Sequence, residues 1–300
     1  MMPVTRYDVV YRTSIHYDDI VRASQNELRA CPASDDHQQV VAYRTTTHPA
    51  SRVLTYQDYF GTRVDTFGVR EPHVLLEISA EASVETFPRA LVTVSPRVAE
   101  LRSPSFRDRY AEYLGRTGHT AWDDDMAEAA RRVAAISGDD VVGIVLALHR
   151  FAHTSLRYTP GATYIGVDVN EVLAKAQGVC QDYAHLAVAL CRSIDIPARY
   201  VSGYFFAASE STGEEVDGDV VSVQTHAWFE AAIPGWGWLA LDPTNALQVG
   251  PRHITIGHGR DYDDVPPIRG VYSGGGRPNT QAGVEIRRQT AVAQQLQAQQ

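Results

Sequence analysis

Cysteine is scarce in this chain: three in 300 residues, Cys31, Cys180 and Cys191. The number is odd and the spacing unpaired, so no disulfide framework is implied. Runs of Lys or Arg are missing too, and 27 basic residues stand against 36 acidic ones, a formal net charge of -9. A nucleic-acid binder normally shows a basic face, so that class of partner is disfavoured. Long apolar runs are also absent. The longest helical one, VVGIVLAL at 141–148, falls far short of the roughly 20 residues that cross a bilayer. The N-terminus, MMPVTRYDVVYRT, has neither a basic region leading into an apolar stretch nor a small-residue cleavage site. A cytoplasmic enzyme with no nucleic-acid or membrane partner is the resulting expectation. The remainder, 44% hydrophobic and 21% charged, is ordinary for a globular chain of one large or two moderate domains.

Residues 1–95 read as β structure. YDVVYRTSIHY alternates, and VVAYRTTTH and VLLEISAEASVETF repeat its β-branched and aromatic bias. An antiparallel, sandwich-like module follows from this run of strands. Pro96 opens a helical stretch. Met126, Ala129, Ala130 and Val133 fall at i, i+3, i+4 and i+7, with Gly138 placed as a stop. Val141, Ile144, Val145, Leu148 and Ala152 make the next stripe, which TPGAT interrupts. The strand-like ARYVSGYFF, the acidic loop ASESTGEEVDGD at 208–219, and a hairpin through IPGWG complete a core expected over 96–288. The loop reads as a solvated excursion, and the Gln/Ala-rich 289–300 as a disordered tail.

The chemistry centres on GVCQDYAHLAVALC at 178–191. Cys180 heads a helix, where free backbone N–H groups carry positive partial charge and favour a thiolate. Leu186, Ala187, Ala189, Leu190 and Ile194 form that helix's apolar stripe. Cys191 lies about three turns further on and reads as a packed small hydrophobe, as does Cys31. A thiol nucleophile needs an imidazole beside it and a third group to orient the ring. Of the eleven histidines, His16, His37 and His48 belong to the β module and His119 to a polar connection. His149 and His153 have zinc-like i, i+4 spacing but no intervening Glu and no third ligand. His185 points about 140° around the helix from Cys180. His226 is better placed. Gln224, His226, Trp228 and Glu230 share one strand face, and Trp238, Ala240 and Asp242 share a face of the next. An odd-length connection through Ile233, Pro234 and Gly235 would set position 226 directly across from 242, an imidazole beside a carboxylate. The backbone N–H of Cys180 is a natural oxyanion donor. Gln181 and Tyr158 are candidates for completing the pocket, and Trp228 and Trp238 for walling it.

Three blocks, GVCQDYAHLAVALCRSIDIPARYVSGYF, THAWFEAAIPGWGWLALDPTN and GRDYDDVPPIRGVY, resemble the bacterial transglutaminase-like family of the papain-like thiol superfamily. The β-rich first 95 residues resemble the module that often precedes that core. The resemblance implies an α+β fold, with a papain-like core in which a cysteine-headed helix packs on an antiparallel sheet. It places the nucleophile on Cys180, the histidine on His226 and the aspartate on Asp242. Asp195 stands where the family usually has glycine, a position where a left-handed backbone is expected and Asp is tolerated. The expected reaction is acyl transfer on an amide or peptide bond through a Cys180 thioester, resolved by water as in a cysteine peptidase or amidase. Transfer to an amine, or a silent interaction module, are the alternatives. A peptide or protein amide is the expected substrate, and the chemistry requires no cofactor or metal.

Overall fold

A computed structural model describes residues 4–164, 166–207 and 220–289. The acidic loop 208–219 and the tail from 290 lie outside the described residues. One strand, Thr5–Leu28, organises the first module. Its inward positions recur at every second residue, with Tyr7, Val9, Tyr11, Ile15 and Tyr17 buried and Thr13 the one polar member of that run. That period of two is what a half-buried strand requires. The strand changes partners part-way. Residues 5–16 run between His73–Thr86 and Pro278–Gln289, while residues 24–28 run between Arg63–Val69 and Ile268–Gly274. A break in register between His16 and Val21 separates the halves, so the eight-stranded antiparallel sheet curls instead of lying flat.

Two segments grouped by sequence with the core join this first sheet. The strands Ile268–Gly274 and Pro278–Gln289 pair with the first strand, and Val220–Val223 pairs with the last. Val284 and Ile286 alternate with polar neighbours and complete the same apolar cluster as Tyr7, Tyr11 and Leu76. Tyr204, Phe206, Ile254 and Ile256 from the core enter that cluster as well. The two modules are therefore stitched together. Gln38, 2% exposed, adds polar bonds at the seam: its Nε2 donates to Thr255 O at 2.8 Å, and its Oε1 accepts from Thr255 N at 2.7 Å.

The core sheet has five antiparallel strands, ordered Leu247–Gln248, Gly237–Asp242, His226–Ile233, Ala198–Phe205, His253–Gly259. The helices Asp124–Ala135 and Val141–Ser155 start on side-chain caps from Asp123 and Asp140. They pack around a central helix, Cys180–Arg192. That helix is buried on all sides from Asp182 to Arg192, not along one stripe, because helices cover one flank and the sheet the other. Even Arg192 is enclosed, its guanidinium donating to the carbonyls of Gly115, Ala198 and Arg260. Asp195 adopts the expected left-handed backbone, φ 67°. No helix among the described residues is long and apolar enough to cross a membrane.

Candidate active site

Cys180 is the first residue of the central helix, and Val179 before it is extended. Asp182 folds back to accept the Val179 N–H at 2.8 Å, and its Oδ2 also takes the Thr163 hydroxyl at 2.6 Å. Gly178 is needed for this approach, since a Cβ there would sit 2.7 Å from the Asp182 Cβ. The cap thus fixes where the helix begins, and leaves the thiol half-buried at its mouth, 3.9 Å from the carbonyl of Thr225. The N–H of Cys180, in the first turn, has no intrahelical partner.

His226 begins one strand and Asp242 ends the next. Ile233 pairs with Gly237 across Pro234, Gly235 and Trp236, so the connection has the expected odd length. The ladder is nevertheless two residues off direct opposition. Phe229 pairs with Leu241, which sets position 242 across from 228 and makes 226 and 242 diagonal neighbours. An imidazole and a carboxylate can span such a diagonal, and Nε2 of His226 lies 2.8 Å from Oδ2 of Asp242.

Asp242 is fully buried and saturated with donors. Its Oδ1 accepts from the N–H groups of Thr244 (2.9 Å) and Asn245 (3.2 Å). Its Oδ2 receives Asn245 Nδ2 at 2.7 Å and His253 Nε2 at 3.1 Å besides His226. Burial opposes the charge, but these bonds outweigh it, with His226 and His253 foremost, and hold the carboxyl well below its usual range. Burial likewise pulls the His226 pKa down, yet bonds to Asp242 and Cys180 lift it to about 10. With Nε2 taken by Asp242, the ring's other nitrogen, Nδ1, is left for the thiol. The ring therefore holds its proton at neutral pH between a carboxylate and a sulfur.

Tyr158, Phe205, Ala207, Thr225 and Asn245 border a groove of about 420 Å³ at Cys180 and His226. Apart from that cysteine–histidine pair, no Asp, Glu, Lys, Arg or His lines it among the described residues.

The sequence of residues 127–243 matches the transglutaminase-like superfamily, and residues 7–85 match the bacterial transglutaminase-like N-terminal region. Uncharacterized protein ML0607 of Mycobacterium leprae is 38% identical over 285 residues, covering 94% of this chain and 99% of that protein. The chain belongs to the transglutaminase-like superfamily. Uncharacterized protein Rv2569c of Mycobacterium tuberculosis is 35% identical over 284 residues, 89% of this chain and 87% of its own. A protein-glutamine gamma-glutamyltransferase of Pseudomonas aeruginosa is 36% identical over 112 residues, 37% of this chain and 16% of that protein. In structure the chain is similar to a proposed cysteine protease from Cytophaga hutchinsonii, TM-score 0.75 at 20% identity, over 96% of this chain and 92% of that one. That likeness is one of fold.

Within this transglutaminase-like frame, four residues expected at the pocket have different fates. Tyr158 lines the groove. Gln181 is half-buried and outside its lining. Trp228 does not wall the groove: it is fully buried beneath the pair, its ring edge-on to His253 at 5.3 Å and crossing Gly203. A Cβ at Gly203 would come within 2.4 Å of that indole. Trp238 is also remote, since four residues of strand put it roughly 13 Å from Asp242. It lies under Arg199, 4.1 Å from the guanidinium carbon. A shared sheet face is longer than a site, which is why the expectation fails for both indoles.

His253 is the residue that spacing does not reveal. Its Nδ1 accepts the Gly250 N–H at 3.2 Å, so Nε2 carries the ring proton and donates it to Asp242. The histidines with zinc-like spacing serve the backbone instead. His149 Nε2 bonds the carbonyl of Asp242 and His153 Nδ1 that of Pro243, both at 2.9 Å. They anchor the chain segment that carries the carboxylate.

Proposed function

We propose that this protein cleaves an amide or peptide bond through a thioester on Cys180, with water as the acyl acceptor. The observation that carries the reading is the pairing of His226 with the fully buried Asp242 beside the half-buried thiol. The thiolate attacks the substrate carbonyl, and the developing oxyanion is met by the Cys180 N–H at the helix N-terminus. As the C–N bond breaks, His226 gives its Nδ1 proton to the leaving amine. Water then attacks the thioester, His226 takes a proton from it, and release of the acid restores the thiol pair. Asp242 holds the ring orientation throughout and stabilises the imidazolium. His253 holds Asp242 in turn. A groove whose described lining carries no fixed charge beyond the catalytic pair suits an uncharged acyl side chain, such as glutamine.

Transfer to an amine is a second reading, favoured by the likeness to the Pseudomonas glutamyltransferase. Both share the first half-reaction and differ in what resolves the thioester. A glutamine-containing peptide incubated with excess methylamine distinguishes them by mass. Release of ammonia or cleaved peptide with little methylamide supports hydrolysis, whereas a methylamide that dominates the products assigns the chain to amine transfer.

A further inference from the structure

The sheet face that carries His226 and Asp242 continues to a second feature at its other end. There a cavity of about 520 Å³ opens between the core and the first module, within the size range of small-molecule sites. It shares no lining residue with the groove at Cys180. Trp228, Val201, Ala240 and Val249 pack as a layer between the two.

The cavity contains an incompletely paired cation. Glu230, 4% exposed, commits Oε2 to Arg199, at 2.6 Å from Nε and 2.5 Å from Nη2. The nearest contact of its Oε1 with Arg89 is 3.8 Å, too long for a hydrogen bond. The Arg89 side chain is only 14% exposed, and among the described residues it makes no hydrogen bond. A guanidinium so desolvated, with its donor fork unused, calls for an oxyanion. His37 and His258 line the same space. Burial and Arg199 push His258 down to about 4, and burial and Arg89 also lower His37. Both rings are therefore neutral donors that add no charge. Phe60, Trp236 and Trp238 supply flat apolar wall.

We propose that this cavity binds a small monocarboxylate with an aromatic or apolar body. The carboxylate sits on the Arg89 fork, bidentate, and the body lies against the three aromatic side chains. A single negative charge is favoured over a dianion such as phosphate, because Glu230 already neutralises Arg199 and the exposed Asp35 and Asp36 stand at the rim. This site is independent of what Cys180 does.

Phenylacetate, benzoate and 4-methylpentanoate are titrated into the full-length protein by calorimetry and thermal denaturation, beside phenylacetamide and inorganic phosphate. At least one carboxylate should bind saturably, with a dissociation constant on the order of 1 mM or tighter, and raise the Tm. Phenylacetamide should bind at least about tenfold more weakly than phenylacetate, because it lacks the charge that the fork recognises. Arg89→Met should remove that preference while Cys180 alkylates at its unchanged rate. The proposal is overturned if no carboxylate binds saturably, if acid and amide bind equally, if phosphate outcompetes all three, or if folded Arg89→Met keeps the preference. Should that variant fail to fold, the acid–amide comparison on the unaltered chain still decides.

Discussion

Asp242 and Glu230 are both buried carboxylates on one face of one sheet, yet they do opposite things with their charge. Asp242 is met by two imidazoles, an amide and two backbone N–H groups. Glu230 is met by guanidinium groups. An imidazole can surrender its proton near neutrality, and a guanidinium cannot. The first carboxylate therefore tunes a proton carrier, while the second only neutralises fixed cations. Burial alone does not mark a carboxylate able to tune a proton carrier; the titratability of its partner does.

The largest expected effect lies at the thiol that the first carboxylate serves. Cys180→Ala should lower turnover by roughly 10⁴-fold or more, with a stability change within about 1 kcal/mol, read by activity assay and denaturant unfolding. Asp242→Asn should cost roughly 10³–10⁴-fold in turnover by misorienting the ring. Glu230→Gln should invert that pattern. It strips the buried guanidinium groups of their counter-charge and should cost roughly 3–5 kcal/mol of stability, with Cys180 reactivity within about twofold of normal. His253→Phe removes one bond to a charged group, worth roughly 1.5–3 kcal/mol, and should slow turnover by about 10–100-fold.

Titration separates the two carboxylates as well. His226 is raised to about 10 from an unfolded value near 6.5. Its contribution to stability is complete below about pH 6.5 and is lost as the pH climbs through about 10. Asp242 is depressed, so its contribution holds above about pH 4 and is lost as the pH falls below that value. In Asp242→Asn the alkaline loss of turnover should move down toward neutrality, whereas in Glu230→Gln it should stay in place. The smallest effect belongs to Cys191→Ser. This thiol is fully buried and raised to about 12 by burial, so the change should perturb packing by about 1–2 kcal/mol and leave turnover alone.

The central helix, its cysteine head and the histidine and aspartate strands are legible in the sequence because each rests on local pattern: a glycine before a cap, an apolar period, two alternating strands. Alternation reports which face a residue occupies but not how far along the face its partner lies. That is why the His226–Asp242 pairing, expected straight across, is diagonal, and why Trp228 and Trp238, expected at the groove, lie away from it. His253 is hidden for a related reason. It reaches Asp242 from a strand that pairs with Ala198–Phe205, an adjacency no local spacing encodes. The strands at 268–289 follow the core in the chain and complete the first module's sheet in space, and their short apolar pattern, Val284 and Ile286, fits either sheet equally well.

The proposed chemistry depends above all on His226 priming Cys180. Limiting iodoacetamide at pH 7, followed by peptide mass spectrometry, reads this directly in the native protein. The prediction is labelling at Cys180 ahead of Cys31 and Cys191, whose thiols burial raises to about 12, with at least about tenfold slower labelling of Cys180 in His226→Ala. Labelling of Cys180 at the same rate with and without the imidazole would contradict the priming and leave a folded scaffold without a nucleophile.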